Sequence, residues 1–449
     1  MPRSVLQDRD AYSAVFADFV SASPSSYHAA GAIAESLTKA GFADLDELAA
    51  WSALEAGGRG FVRRDGAIIA WRAGSDIDAT SPVRVLGTHT DSPGFIVKPQ
   101  PDFTTEGWAQ VGVEVYGGPL LTSWLDRDLG FAGRVVTRDG AEHLVRTGPV
   151  ARIPQLAIHL DRSQNSELTL DKQRHTQPII GLADEELSLS ALLIRALGGG
   201  RKGSGRGRAA ARSAARASLT AEDLVGLDLR LYDTQEPQRI GANAELFASA
   251  RLDNLSSTYA ALAALLETEP EPGTIAMFAA FDHEEVGSNT RSGAAGPFLA
   301  DVLERLRFGL DASAEDTARA LAASWCLSAD AGHSVHPNYA EKHDPRVHPI
   351  AGAGPMLKRN ANQRYASDAQ GAALWARLGE TAGVPTQEFV SNNTVPCGST
   401  IGPLTATRLG IRTVDVGVPL LSMHSARELA HVDDLYGLAR VASAFFERA

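Results

Sequence analysis

The chain has almost no cysteine, no long apolar run and a deficit of positive charge, and each shortage closes off a class of protein. Its two cysteines, Cys326 and Cys397, stand far apart with no C-x-x-C pair. That excludes a disulfide framework and a thiolate metal site, and it fits a reducing cytoplasm. No stretch approaches the roughly 20 apolar residues that a membrane span requires. Near the start, Tyr12, Val15, Phe16, Phe19 and Val20 recur at helical spacing with Asp8, Asp10 and Asp18 among them, which reads as an amphipathic helix and not as a signal peptide's apolar core. Lys and Arg number 42 against 54 Asp and Glu, a net charge of -12, so nucleic acid and anionic membrane are poor candidates for the main partner. What remains is globular: 449 residues, 44% hydrophobic, long enough for two or more domains.

Two helical segments open the chain. Phe61 to Trp71 then reads as a hairpin around Asp65-Gly66, and Val83 to Leu86 as a strand running into Gly87-Thr-His-Thr-Asp91. From Pro93 to Ile240 short alternating segments such as Ala109 to Val115 and Gly133 to Thr137 predict a β-rich insert. After it, helical runs such as Ser257 to Leu266 alternate with apolar strands such as Ile275 to Phe281 and Thr413 to Gly417, the pattern of an α/β domain. The expected division is 1–92 with 241–449 as one domain, split by 93–240. Residues 198–216, rich in Gly, Arg and Ala, are the single low-complexity tract and carry no acidic residue. The tract reads as a flexible loop with a partly helical Ala-rich end, the alternative being a contact with nucleic acid or an anionic surface.

The most informative feature is Glu284-Glu285, which closes the apolar run from Thr274. Carboxylates are costly to bury without a metal, a partner charge or a proton, so the pair predicts a metal site unless it is an exposed acidic turn. On an extended segment neighbouring side chains diverge, so one glutamate can ligate a metal while the other serves as general base. His89 and Asp91 have period-two spacing, which lets the carboxylate orient the imidazole; a structural or surface histidine is the alternative. Asp253 sits between apolar residues before a helical run, as a ligand or as a helix cap. Asp330 follows Trp325-Cys-Leu327, and His424 follows the strand and turn Val414 to Pro419. Two histidines and several carboxylates at strand ends, without cysteine, suit zinc, manganese or cobalt, and the inventory suffices for two ions about 3.5–4 Å apart.

Thr88-His-Thr-Asp-Ser-Pro93, Trp124-Leu-Asp-Arg-Asp128, Arg251-Leu-Asp-Asn-Leu255, Phe281-Asp-His-Glu-Glu-Val-Gly-Ser288, Val335-His-Pro-Asn-Tyr339, Gln363-Arg-Tyr-Ala-Ser367, Pro396-Cys-Gly-Ser-Thr-Ile-Gly-Pro403 and Met423-His-Ser-Ala-Arg-Glu428 follow one another in an order that resembles the aspartyl aminopeptidase family, cytosolic dizinc metallopeptidases. The resemblance covers nearly the whole chain. It implies a mixed-sheet α/β catalytic domain split by an assembly insert, and removal of N-terminal Asp or Glu from peptides through a water bridging two divalent ions, Zn2+ before Mn2+ or Co2+. By that resemblance Asp253 bridges the ions, His89 and Asp330 complete one, Glu285 and His424 complete the other, Glu284 is the general base and Asp91 supports His89. Lys358 matches the family position for a cation in the side-chain pocket, with Arg359 its competitor and a surface lysine the plain alternative. Tyr365 and the glycines of Cys397-Gly-Ser-Thr-Ile-Gly402, Gly398 first, would line that pocket, and Cys397 reads as a small buried residue. His159 would reach a neighbouring subunit's site in a homo-oligomer, as in the family's tetrahedral dodecamers, whose enclosed sites admit peptides; without the resemblance it reads as a core histidine. The tract at 198–216, Ala331-Gly332 and Gly94 depart from the family pattern. The other readings are a dizinc aminopeptidase of neutral or broad specificity, a carboxypeptidase or deacylase on the same scaffold, and a non-catalytic assembly or nucleic-acid-binding protein.

Overall fold

The computed structural model describes residues 4–198 and 219–448, which form two compact units. The first takes in residues 4–92, 237–423 and 428–448; the second takes in 93–236, without the undescribed stretch, and 424–427. Residues 237–240, assigned to the insert by pattern, thus fall in the first unit, and the four residues from His424 fall in the second. Residues 199–216 of the low-complexity tract lie outside the described residues.

The first unit is built on a nine-stranded mixed sheet in the order Ala43–Asp44, Arg59–Arg64, Ala67–Ala73, Ile275–Phe281, Val83–His89, Trp325–Ala329, Arg412–Gly417, Met356–Arg359, Gln387–Val390. Its four central strands are parallel to one another. Such strands are covered on both faces and so read as continuous apolar runs, as Ile275–Phe281 does, buried at every position. The period of two sorts their side chains: Phe278 and Ala280 join the core beneath the helices Arg9–Ala22, Leu252–Glu267 and Val432–Arg448, while Met277 and Ala279 join Phe298, Val302 and Leu306 on the other face. The expected hairpin is present, Arg59–Arg64 against Ala67–Ala73, with Asp65 at φ +57° in the turn. In the first helix Tyr12, Phe16, Phe19 and Val20 are buried, but Val15 is exposed on the polar side of the stripe.

This arrangement brings three parallel carboxyl ends side by side. His89 is opposite Phe281 in register, and Ser328 is opposite Gly87, so the residues following Phe281, His89 and Ala329 emerge at one edge of the sheet. Open α/β sheets bind ligands in the crevice beyond such ends.

The second unit is an antiparallel six-stranded sheet in the order Glu142–Arg146, Leu129–Thr137, Leu224–Asp233, Gly94–Thr105, Trp108–Tyr116, Ile179–Leu182. Phe95, Val113, Phe131, Leu229 and Leu231 pack with Leu189 and Leu193 of helix Leu189–Gly198 on its covered side. Phe103, Trp108 and Leu182 stay exposed, as do Leu156, Ile158 and Leu160 in a loop. Among the described residues no helix is long and apolar enough to cross a membrane.

Candidate metal centre

His89 ends its strand fully buried. Its Nδ1 lies 3.1 Å from the backbone oxygen of Asp91, which can only accept, so Nδ1 carries a proton and the neutral ring presents its lone pair at Nε2. Nε2 stands 3.3 Å from Asp253 Oδ1 and 3.4 Å from Asp330 Oδ1, and makes no hydrogen bond among the described residues. Those spacings are longer than charge-assisted hydrogen bonds. They match the edge of a tetrahedron whose corners lie about 2.0–2.1 Å from a zinc ion, about 3.3–3.4 Å. The donor set therefore fits a metal ion. His89, Asp253 and Asp330 form one group with ligand atoms within 4.8 Å of one another, and His89, Glu284 and Glu285 form a second.

Local structure explains how each carboxylate is aimed. Asp253 lies in the first turn of helix Leu252–Glu267 but off helical geometry, at φ -83° and ψ 101°, and the cap position belongs to Arg251 at φ +58°. Asp253 is thus not the cap residue. Its backbone N–H donates to Glu428 Oε2 at 3.1 Å and its carbonyl accepts from Ser92 Oγ at 2.7 Å. Asn254 Nδ2 donates to Ala329 O at 2.8 Å, tying this helix start to the strand end before Asp330. Asp330 itself packs its carbonyl against Gly417, where a Cβ would come to 1.8 Å of that oxygen, so only glycine admits the approach.

The Glu284-Glu285 pair is not extended. The strand stops at Phe281, His283 takes φ +64°, and Glu284–Val286 form one 3₁₀ turn. Turn geometry, not strand alternation, separates the two side chains. Asp91 holds that turn: Oδ1 accepts the Glu284 N–H at 3.0 Å and Oδ2 the Glu285 N–H at 3.1 Å. Its contact with the imidazole is looser, 3.5 Å from Oδ1 to Nδ1. Asp91 thus anchors the glutamates more directly than it orients His89.

Five carboxylates around one imidazole are an unstable gathering of negative charge. Burial pushes Glu284 up to about 8, with Asp330, Asp91 and Asp253 adding and His89 opposing. Burial, then Asp253, raises Glu285 well above the carboxylate range. Although burial opposes a charge on His89, the neighbouring carboxylates of Asp253, Asp330 and Asp91 hold it well above the usual imidazole value. The cluster keeps protons unless divalent cations replace them.

Lys358 is buried, 2% exposed, and is no surface lysine. Nζ donates to Ala331 O at 2.6 Å, stands 3.5 Å from Asp330 Oδ2 and lies 5.5 Å from the Tyr365 ring centre. Arg359, next along the strand, is exposed. A cavity of about 240 Å³ is lined by Tyr365, Phe389, Cys397 and Gly398. Cys397 is half-buried in its wall and not a core residue, and Gly398 faces open space.

His424 is described within the second unit, at φ +65° with Nδ1 3.0 Å from Gly118 O and its carbonyl accepting the Leu120 N–H at 2.9 Å. His159 is exposed in the loop of Leu156, Ile158 and Leu160, so it is not a core histidine. Sequence reading missed the work of Glu428, whose one signal is a buried acid on a short strand, Glu428–His431.

A family model described as aminopeptidase I zinc metalloprotease (M18) matches residues 19–446. A probable M18 family aminopeptidase 2 of Streptomyces avermitilis is 51% identical over 436 residues, 96% of either chain. Its counterpart in Pseudomonas aeruginosa is 43% identical over 440 residues, again 96% of either chain. Among solved structures, a chain of the Ape4 and Nbr1 complex superposes with a TM-score of 0.91 at 34% identity, covering 99% of this chain and 87% of that one. The mApe1 dodecamer gives 0.80 at 29% identity over 97% and 96%. A match that begins before His89 and ends after Glu428 takes in every site residue named above, and the chain belongs to the M18 aminopeptidase I family of zinc metalloproteases.

Proposed function

We propose that this metal-dependent aminopeptidase acts on peptides whose first residue is Asp or Glu. Lys358 carries the reading: a buried ammonium beside the metal cluster and the Tyr365 ring is a cation where a substrate side chain would arrive. The cavity that Tyr365 lines agrees, since His333, His336, Lys342 and His343 line it too and no carboxylate does among the described residues.

His89, Asp253 and Asp330 would hold one ion, and Asp253 and Glu285, with His424 as the sequence pattern implies, would hold a second. Divalent ions held there would supply Lewis acidity to the scissile carbonyl and to an attacking water. Glu284, its backbone fixed by Asp91, takes a proton from that water and delivers it to the departing amine. The cluster's carboxylates receive the substrate's α-ammonium, which confines cleavage to the first residue. His159 serves the site of a neighbouring copy by stabilising the developing oxyanion; its exposure supports this, as does the likeness to a dodecamer, and we propose a homo-oligomer of that kind. The free thiols Cys326 and Cys397 support a cytoplasmic place.

The test is release of the first residue from Asp-, Glu-, Leu- and Ala-aminoacyl substrates by zinc-loaded wild type and Glu284→Gln, with bound metal counted in both. The reading expects acidic preference, two metals per chain, and loss of turnover without loss of metal in the variant. Preference for Leu or Ala removes the acidic pocket and leaves the aminopeptidase; normal turnover by the variant removes Glu284 as base.

A further inference from the structure

Strand Arg412–Gly417 lies between Trp325–Ala329 and Met356–Arg359, the strands that lead to Asp330 and carry Lys358. Its residues Thr413 to Gly417 are all buried, and one of them is Asp415, 0% exposed between Val414 and Val416. A carboxylate in that position needs partners. It has them on two separate segments. Oδ1 accepts the Thr400 hydroxyl at 2.5 Å, and Oδ2 accepts the Ala366 N–H at 2.6 Å. The strand adds a third tie, the Asp415 N–H donating to Ser367 Oγ at 2.8 Å.

Both segments adjoin walls of the cavity of about 240 Å³. Ala366 follows Tyr365, and Thr400 comes two residues after Gly398 and three after Cys397. Thr400 also caps helix Ile401–Leu409, fixing where the Cys397-Gly398 stretch ends. At Gly402 a Cβ would stand 2.3 Å from Asp415 Oδ1, so this glycine lets the carboxylate reach between the two walls.

We infer that Asp415 is a positioning residue for side-chain specificity, clamping the Tyr365 wall to the Cys397-Gly398 wall so that the cavity keeps one width. It touches neither the scissile bond nor the metal cluster in this role. The clamp rests on the proposed function only for which side chain enters the cavity.

The experiment compares Thr400→Val, Thr400→Ser and Asp415→Asn with wild type as zinc-loaded full-length proteins on Asp-, Leu- and Ala-aminoacyl substrates, with melting temperature and bound metal recorded. Thr400→Val removes one bond at nearly constant shape; Thr400→Ser keeps the hydroxyl. For the side chain that wild type prefers, KM rises about tenfold in Thr400→Val and Asp415→Asn, with kcat nearly unchanged, and returns in Thr400→Ser. KM for Ala, whose methyl barely enters the cavity, changes least. Equal rises for all three substrates, a loss confined to kcat, or a Thr400→Val indistinguishable from wild type overturns the clamp. Should Asp415→Asn not fold, the Thr400 pair alone decides. A wild type that prefers Leu contradicts the acidic reading and leaves the clamp testable on the Leu-to-Ala ratio.

Discussion

The two compact units place their costly residues in opposite ways. The first buries acids: five carboxylates gather where parallel strands end, around a histidine that is 1% exposed. The second exposes apolar groups: Trp108 is 43% exposed and Leu182 67% in a sheet whose other side is well packed, and Leu160 is 75% exposed in a loop. Each arrangement is unfavourable for an isolated chain in water. A buried acid cluster is relieved by cations, and exposed apolar groups by another protein surface. The first unit is thus incomplete without metal, and under the proposed assembly the second is incomplete without neighbours.

The sharpest way to break the contrast is to disable the chemistry and leave the charge cluster standing. Glu284→Gln should lower turnover by about 10²–10⁴-fold, read by single-substrate kinetics, while zinc content stays at the wild-type level. Metal removal tests the cluster's electrostatics. Burial lifts Glu284 from 4.5 to about 8, so over that range the folded metal-free protein holds a proton that the unfolded chain has released. Glu285 and His89 are raised too and act with the same sign. The stability they contribute is therefore greatest at the acid end and declines as pH climbs toward about 8. Metal-stripped protein should melt lower at pH 8 than at pH 6, and zinc should cancel that slope; a flat melting profile without metal would contradict the buried cluster.

Lys358→Met, close in volume, should raise KM for Asp and Glu substrates about ten- to hundredfold, as loss of a charge-assisted bond implies, and leave Ala nearly untouched. Zinc counting checks that Asp330 still binds without its neighbour. The smallest effect on folding is expected in the second unit. Leu160→Asp should change stability by no more than about 0.5 kcal/mol, yet shift the particle mass measured by light scattering to smaller species. An unchanged mass would remove this loop from the assembly.

Much of the architecture was legible because its periods are clean. Ile275 to Phe281 reads as a buried strand and forms one, and Thr413 to Gly417 differs by one residue. The residues His89, Asp253, Asp330, Glu284 and Glu285 stood out because acids beside apolar strands conflict with burial, and these five do meet in space. Local conformation was harder. The glutamates looked extended because the run before them is a strand, but His283 at φ +64° turns the chain before Glu284. Asp415 lay hidden as one acid inside an apolar strand, and its partners, Ala366 and Thr400, are 49 and 15 residues away, beyond any local pattern. Lys358 was ambiguous because a lysine's burial depends on a carbonyl that only folding supplies, here Ala331 O.

Asp91 spans the N–H groups of Glu284 and Glu285 with its two oxygens, so the proposed proton carrier and the proposed metal ligand beside it share one anchor. Under the proposed roles neither can be retuned alone: a substitution that nudges one displaces the other. Under those same proposed roles, descendants of this chain could alter which side chain they accept by changing walls such as Tyr365 and Cys397, while the two-glutamate turn would be inherited whole or lost whole.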